Sequence, residues 1–191
     1  MPESARDGPD GQPRPGPRNA ITDVAGLAVG NAEDRALLTG VTAVVPERPA
    51  TAAVSVTGGA PGTRNTGVLD PAATDTAVDA VILSGGSAFG LDAPGGAMDW
   101  LADRCRGFEI AGVRVPIVPG AILFDLATGG RKSWDAPPWW ELGRAAASRA
   151  CTEVTQGNAG AGLGARAGAL KGGLGTASVV AGGIAVGALA V

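Results

Sequence analysis

The sequence predicts a layered α/β protein in which helices pack on β-sheets. Short apolar runs, each bounded by Gly, Pro, Asp or Thr, fill the first half of the chain in the way that turns delimit strands. Two segments with helical character follow, and the C-terminal residues return to Gly-spaced strands. At 191 residues the chain is long enough for one domain with a hydrophobic core and short for two.

Strands are predicted in the first half of the chain at residues 40–46, 50–59 and 78–86. A polar, turn-rich connection joins the second of these to the third. Residues 113–126 give two strand-like pieces broken at Pro119 and Gly120, and residues 179–191 give the last strands. Because the chain stops inside this apolar run, we expect its terminal strand either to lie centrally in a sheet or to lack a segment that should follow it.

Helices are predicted at residues 87–107 and 141–154. The first has apolar residues at a spacing that suits packing on a sheet, although Pro94, Gly95 and Gly96 weaken its first turns. The second is rich in alanine, the strongest helix former. Between the two helices, residues 134–140 form an irregular loop that holds three of the four tryptophans.

The first residues differ in composition from the rest of the chain. Residues 1–18 are rich in proline and glycine, contain no apolar run and lack the hydrophobic region of a signal peptide. We interpret them as a disordered leader. From Asn19 onward Val, Ile, Ala and Gly dominate, so residues 19–191 are expected to form the folded domain.

Composition excludes several classes of function. The chain carries 15 basic and 18 acidic residues, which gives no electrostatic footprint for nucleic acid or an anionic membrane. No stretch is apolar and long enough for a membrane helix, so we expect a soluble, cytoplasmic protein. Histidine is absent, which excludes Ser-His-Asp and Cys-His triads and makes the usual zinc sites improbable. Cys105 and Cys151 are interpreted as free thiols, with a disulfide as the less favoured alternative, and no metal or cofactor is expected.

Three glycine-rich segments could bind a ligand or could simply form turns. Residues 160–168 have dinucleotide-like Gly spacing, but no good helix follows and no acidic residue occurs after Glu153, so a nucleotide site is rejected. In "LSGGSAFG" (83–90) a strand passes into a helix, where backbone N–H groups could hold an anion or where a tight turn could be purely structural. Arg64 in a third segment could bind a carboxylate or be an ordinary exposed arginine.

Lys171 stands among small residues in "GARAGALKGGLGTAS". It could be a solvated lysine on a hairpin. Alternatively, the small neighbours let backbones approach closely, and a partly desolvated ammonium there could hydrogen-bond a nucleophile or tune its pKa.

Four motifs taken together resemble a known family: "GGAPGTRNTGVLDP", "VDAVILSGGSAFGLDA", "VPIVPGAILFDL" and "GARAGALKGGLGTAS", in this order. Residues 19–191 resemble the L-aminopeptidase/D-esterase (DmpA-like) family of self-processing N-terminal-nucleophile hydrolases, which includes β-peptidyl aminopeptidases and nylon-oligomer hydrolases. The resemblance implies an αββα sandwich of the DmpA/ornithine-acetyltransferase type. It also implies a precursor that cuts itself once, a new terminal Ser or Thr that attacks a peptide or amide substrate, and assembly as a homo-oligomer.

The resemblance also assigns site residues. Lys171 falls near the position of an active-site lysine in nylon-hydrolase relatives. Phe124 falls where several relatives have a tyrosine whose hydroxyl helps to hold the oxyanion, and that hydroxyl is absent here. The turn formed by Ser84, Gly85, Gly86 and Ser87 becomes a wall of the substrate pocket. We expect Lys171 to face a cavity shared with this turn and the Phe124 strand.

The match covers the large-subunit part of the family only. The oxyanion asparagine, the cleavage site and the small subunit with its nucleophile are not in this sequence. One hypothesis is therefore the large-subunit portion of an aminopeptidase or amidohydrolase, truncated or awaiting a partner chain and inactive alone. The other is a non-catalytic homologue that keeps the fold and at most binds a ligand. The fold-related ornithine acetyltransferases are a weaker third candidate, since their cleavage signature is not visible.

Overall fold

The computed structural model describes residues 12–73 and 77–191. Its strands are β1 (Leu27–Asp34), β2 (Thr39–Pro46), β3 (Ala50–Thr51), β4 (Thr63–Arg64), β5 (Ala77–Val78), β6 (Val81–Ser84), β7 (Phe108–Ile110), β8 (Val113–Val115), β9 (Gly120–Ile122), β10 (Arg166–Ala167), β11 (Leu170–Lys171), β12 (Gly175–Ala181) and β13 (Ile184–Ala190). The α-helices are α1 (Ala93–Ala102) and α2 (Trp139–Ser148). Short 3-10 turns lie at Ile21–Asp23, Thr66–Leu69, Ser87–Asp92 and Gly160–Gly162.

A five-stranded sheet in the order β1-β2-β6-β9-β4 forms the centre of the protein. Neighbouring strands are antiparallel except β6 and β9, which run parallel. Parallel pairing requires a crossover connection, and α1 lies in the segment that joins these two strands. Strand β2 is buried over seven of its eight residues, as expected for a central strand.

One face of the sheet packs against α1 and α2. Its core consists of small and β-branched side chains around one large ring, that of Trp139, which is 1% exposed. The helices meet each other through glycine. A Cβ at Gly143 would overlap the Ala93 carbonyl oxygen, and a Cβ at Gly96 would overlap the Trp140 carbonyl oxygen. Each glycine therefore lets one helix lie against the backbone of the other.

The opposite face of β1 and β2 packs against the Gly160–Gly162 turn. A Cβ at Gly40 would overlap the Gly160 carbonyl oxygen, so here too backbone lies on backbone. The Gly160 N–H donates to Glu33 Oε1 at 2.6 Å, and the Ala161 N–H donates to Thr42 Oγ1 at 3.1 Å. The central sheet is thus held between a helical layer and the glycine-rich segment.

Strands β12 and β13 form a separate antiparallel hairpin. One of its faces packs against the Ile21–Asp23 turn. The other face is apolar and exposed, and it includes Val179, Ile184 and Val186. Within the described part of the chain β13 pairs with β12 alone, so the terminal strand is not central in a sheet.

The described part of the predicted leader is fixed to this hairpin. Arg14 and Val180 exchange two backbone hydrogen bonds, of 3.1 and 2.7 Å. Ordered structure therefore begins before Asn19, which differs from the expectation for residues 12–18. The rest of that expectation, for residues 1–11, lies outside the described residues.

Asp23 joins residues 16–20 to β12. Its carboxylate accepts hydrogen bonds from the Ser178 hydroxyl at 2.6 Å and from the N–H groups of Arg18 and Ala20 at 3.0 and 3.2 Å. Burial raises the pKa of Asp23, but these hydrogen bonds and the Arg18 charge lower it more, so the pKa lies below its ordinary value of 3.8.

Most predicted elements are present, with several differences, among them that the helix predicted at 141–154 lies at Trp139–Ser148. β1 was not predicted, because polar Asn31 and Glu33 interrupt its apolar pattern; both lie on the face turned to the glycine-rich segment. Of residues 50–59 only Ala50–Thr51 forms a strand. The helix predicted at 87–107 begins as a 3-10 turn and becomes α-helical at Ala93. No helix among residues 12–73 and 77–191 is long and apolar enough to cross a membrane.

The substitution Gly143→Ala should destabilise the protein by about 1–3 kcal/mol, because overpacking at the α1–α2 contact outweighs a gain of up to about 1 kcal/mol in helix propensity. Urea denaturation measures this difference. Gly175→Ala is the control, since a Cβ at Gly175 would meet no atom within 4 Å. Equal stability of Gly143→Ala and the unmodified protein would contradict the backbone-to-backbone contact.

The substitution Asp23→Asn should destabilise the protein at neutral pH and progressively less in acid. The folded-state pKa of Asp23 is lowered, so its contribution to stability is complete above the unfolded value and is lost as the pH falls through the folded value. The free energy of unfolding of both proteins, measured from pH 7 to pH 3, should therefore converge at pH values below about 4. A difference that stayed constant over this range would show that the carboxylate charge has no part in the anchor.

Candidate active site

The predicted pocket wall, residues 84–87, is a tight turn between β6 and the Ser87–Asp92 3-10 turn. Gly86 and Ser87 are both left-handed, with φ of 87° and 53°. Glycine adopts this conformation freely, whereas serine does so at a cost of about 1–2 kcal/mol. Ser84, Gly85 and Gly86 are buried and Ser87 is half-buried, so only Ser87 of the four presents a side chain toward solvent.

The backbone N–H groups of this 84–87 turn are already bonded within the protein. Gly85 donates to the Gly40 carbonyl at 2.9 Å, Gly86 to Asp125 Oδ1 at 2.8 Å, and Ser87 to the Leu123 carbonyl at 3.1 Å. The Ser84 hydroxyl donates to the Gly85 carbonyl at 2.9 Å. These three N–H groups therefore do not form an open anion cradle, and the turn acts as a rigid surface.

Phe124 lies beside this turn. Its neighbour Leu123 accepts from Ser87 and donates to the Ser84 carbonyl at 2.9 Å, which extends the β6–β9 pairing past the end of β9. The Phe124 side chain is 60% exposed, so its ring is available to a ligand. The structure thus places the Phe124 segment beside the turn through the backbone of Leu123.

An aromatic cluster borders the turn on its other side. Phe89 contacts Trp134 edge-on at 5.3 Å between ring centroids and stacks on Trp139 at 6.0 Å. A Cβ at Gly86 would overlap the Trp139 ring, so this position has room only for glycine. Phe89 is 47% exposed and extends the apolar surface away from the turn.

Lys171 lies on β11, directly opposite Arg166 in the β10–β11 hairpin. Its ammonium donates to the carbonyls of Gly162 and Gly172 at 2.9 and 2.8 Å. Lys171 is exposed to solvent, and these two hydrogen bonds hold its ammonium against the protein surface. It lines an open cavity of about 390 Å³ whose other walls are Leu38, Thr128, Asn158, Leu163, Arg166 and Ala169.

This cavity does not include the 84–87 turn or Phe124, so it is not the shared cavity that the sequence analysis expected. The two parts of the candidate site meet instead through a buried contact. A Cβ at Gly164 would lie 2.7 Å from Asp125 Oδ2, and a Cβ at Gly85 would overlap the same oxygen. Asp125 thus lies between the turn and the glycine-rich segment that leads to Lys171.

Asp125 is the residue that the sequence analysis missed. It is 0% exposed, and its Oδ2 has no hydrogen-bond partner among the described residues. An acidic residue just after a strand usually reaches solvent, so nothing in the motif marked it as buried.

The remaining candidates have structural roles. Arg64 donates to the Leu91 carbonyl at 2.8 Å, which ties one of its guanidinium nitrogens to the Ser87–Asp92 3-10 turn. Residues 160–168 form a 3-10 turn and the first strand of a hairpin, with no helix following. Cys105 and Cys151 are free and exposed, and no group of Cys, Asp or Glu side chains within the described ranges could hold a metal ion.

Solved structures share this fold. The chain superposes on a protein from Pyrococcus horikoshii with a TM-score of 0.72 at 26% identity, covering 92% of this chain and 54% of that one. For the L-aminopeptidase D-Ala-esterase/amidase from Ochrobactrum anthropi, described as a variant of the Ntn-hydrolase fold, the TM-score is 0.68 at 24% identity, with 92% and 53% covered. Ornithine acetyltransferase from Mycobacterium tuberculosis gives 0.55 at 16% identity, with 94% of each chain covered. The fold is therefore of the Ntn-hydrolase type, as the resemblance implied.

Sequence comparison gives the family. An uncharacterized aminopeptidase of Mycobacterium tuberculosis is 48% identical over 182 residues, which cover 91% of this chain and 52% of that protein. The chain thus spans about half the length of the curated relatives that it matches. The model of peptidase family S58 matches residues 19–191. This chain therefore belongs to peptidase family S58, the L-aminopeptidase/D-esterase family that its motifs resemble.

Proposed function

We propose that this chain is the large-subunit portion of an aminopeptidase or amidohydrolase that acts on N-terminal amino-acid amides, short peptides or related oligoamides. The observation that carries the proposal is the match to peptidase family S58 over residues 19–191. The nucleophile is a terminal Ser or Thr of a segment outside these 191 residues. A terminal α-amine then serves as the base, which suits a chain without histidine.

Each candidate residue has a role in this reaction. The 84–87 turn and the exposed Phe124 ring form a wall for the substrate. Two of the three Lys171 ammonium protons are directed to backbone carbonyls, and the third remains for the nucleophile or the substrate. Because those two bonds fix the ammonium, its charge needs little reorganisation during the reaction. No cofactor or metal takes part.

A small subunit that carries the nucleophile is the proposed partner. The apolar outer face of the β12–β13 hairpin, with Ile184 68% exposed, offers a surface that such a subunit can cover. Assembly into a homo-oligomer and a cytoplasmic location belong to the same proposal.

Residues 1–191 alone should not hydrolyse aminoacyl p-nitroanilides or peptide amides, because loss of a covalent nucleophile costs about a millionfold in rate. Co-expression with the C-terminal half of the 48%-identical mycobacterial relative should improve solubility and restore turnover. Nucleophile-dependent activity from the 191-residue chain by itself would show that the proposal assigns the chemistry to the wrong half of the protein. A well-assembled complex without turnover would favour the non-catalytic homologue.

In the reconstituted protein, Lys171→Met should lower kcat by about a hundredfold or more, since a preorganised donor at the reacting centre is lost. The matched control is Lys132→Met. Lys132 is the only other lysine of the chain, and its ammonium likewise donates to two backbone carbonyls, those of Leu37 and Leu38. Steady-state kinetics with thermal melting of both variants separates the two roles. Equal small effects on kcat would make Lys171 a structural residue.

A further inference from the structure

We infer that Asp125 is a positioning residue that holds the wall of the proposed substrate pocket in its working shape. The inference rests on the proposed function, because the wall matters only if a substrate binds against it. Its basis is the geometry of one buried carboxylate and the three backbone segments around it.

Burial of the Asp125 side chain at this position is energetically unfavourable. Asp125 is 0% exposed, and none of the ion pairs within the described part of the chain includes it. One oxygen accepts the Gly86 N–H at 2.8 Å, and the other has no hydrogen-bond partner among residues 12–73 and 77–191. A buried carboxyl group without an ion-pair partner lowers stability, so packing alone would favour an apolar residue at this position.

The bond to Gly86 holds a strained conformation. Gly86 and Ser87 are consecutive left-handed residues, and the second is not glycine. The Gly86 N–H bond to Asp125 and the Ser87 N–H bond to Leu123 fix the peptide groups on either side of Gly86. Without Asp125 the turn would lose the Gly86 hydrogen bond, which is accepted by a side chain and not by a backbone carbonyl.

The same residue also shapes the Lys171 side of the site. Its backbone carbonyl accepts hydrogen bonds from the Thr128 hydroxyl at 2.6 Å and the Thr128 N–H at 3.2 Å, and Thr128 lines the Lys171 cavity. Its unpartnered oxygen lies against the Cα positions of Gly85 and Gly164. Asp125 therefore sets the spacing between the 84–87 turn and the glycine-rich segment, the two parts that a substrate would have to contact together.

Asp79 provides a matched control at the other end of β6. It is 2% exposed, its Oδ2 accepts the Ile117 N–H at 2.9 Å, and its Oδ1 has no hydrogen-bond partner in the described part of the chain. It differs in facing Arg106 at 3.8 Å and in lying away from the candidate site. A purely structural aspartate should behave like Asp79 when it is replaced.

The first measurement is amide hydrogen exchange on the 191-residue chain. Asp125→Ala should speed exchange at Gly86 and Ser87 by at least about tenfold relative to the rest of the chain, while Asp79→Ala leaves these two amides unchanged. Exchange at Gly86 and Ser87 that follows global stability equally in both variants would overturn the positioning role. This readout does not depend on catalysis.

The second measurement is kinetic and uses the protein reconstituted with the C-terminal half. Asp125→Ala should lower kcat by about a hundredfold with KM within about threefold, as for a misplaced reacting group. Asp125→Asn should recover most of kcat, because its amide oxygen can still accept the Gly86 N–H. Asp79→Ala should leave kcat per folded molecule unchanged. A loss of stability in Asp125→Ala without loss of kcat would overturn the inference, whereas absence of turnover in the unmodified protein would refute the proposed function and leave the exchange result to decide on Asp125.

Discussion

The structure depends on close backbone contacts on both faces of the β1–β2 strand pair, each of which carries a packed layer. On one face Gly30 of β1 meets the Ala146 carbonyl of α2, and on the other face Gly40 of β2 meets the Gly160 carbonyl. A side chain at either glycine would push the layers apart. Interiors tolerate neither voids nor overlap, so the layers keep their spacing only while these positions lack a Cβ. The 32 glycines of the chain are thus partly a packing requirement.

This constraint also decides what kind of site the chain can build. Where layers touch through backbone, few side chains reach the surface between them. The candidate site accordingly consists of a turn with its N–H groups bonded internally, one exposed ring and one ammonium held by carbonyls. Such a surface can orient a substrate and supply a fixed positive charge. The Ser87 hydroxyl in this surface has no histidine to activate it, and the proposed partner segment would supply the attacking group.

The sequence predicted the individual parts of this site better than their positions relative to one another. β2 was predicted because β-branched residues fill it, and the 84–87 turn because a strand passes into a helix there. β1 was not predicted because its residues that face the glycine-rich segment are polar, and they interrupt the apolar pattern of a strand. The separation of Lys171 from Phe124 and the burial of Asp125 depend on contacts between segments distant in sequence. The local sequence pattern contains no information about such contacts, so they are seen only in the folded structure.

Phe124 lacks the hydroxyl of a tyrosine, and Asp125 is a buried carboxylate. Both residues are connected to the 84–87 turn, Phe124 through its neighbour Leu123 and Asp125 through Gly86. Exchanging a tyrosine for phenylalanine removes one donor and leaves the backbone around it unchanged, because the turn is fixed by the Leu123 and Asp125 bonds rather than by the ring. An oxyanion held against this wall would therefore rely more on charge than on a hydroxyl. Residues 154–191 contain no acidic side chain, and Arg166 stands opposite Lys171, so this segment carries only positive charge, whereas the Asp125 carboxylate lies against it at Gly164. In the proposed reaction, the Lys171 ammonium, fixed by its two carbonyl partners, would supply that charge, and its effect would grow as a partner segment excludes water from the site.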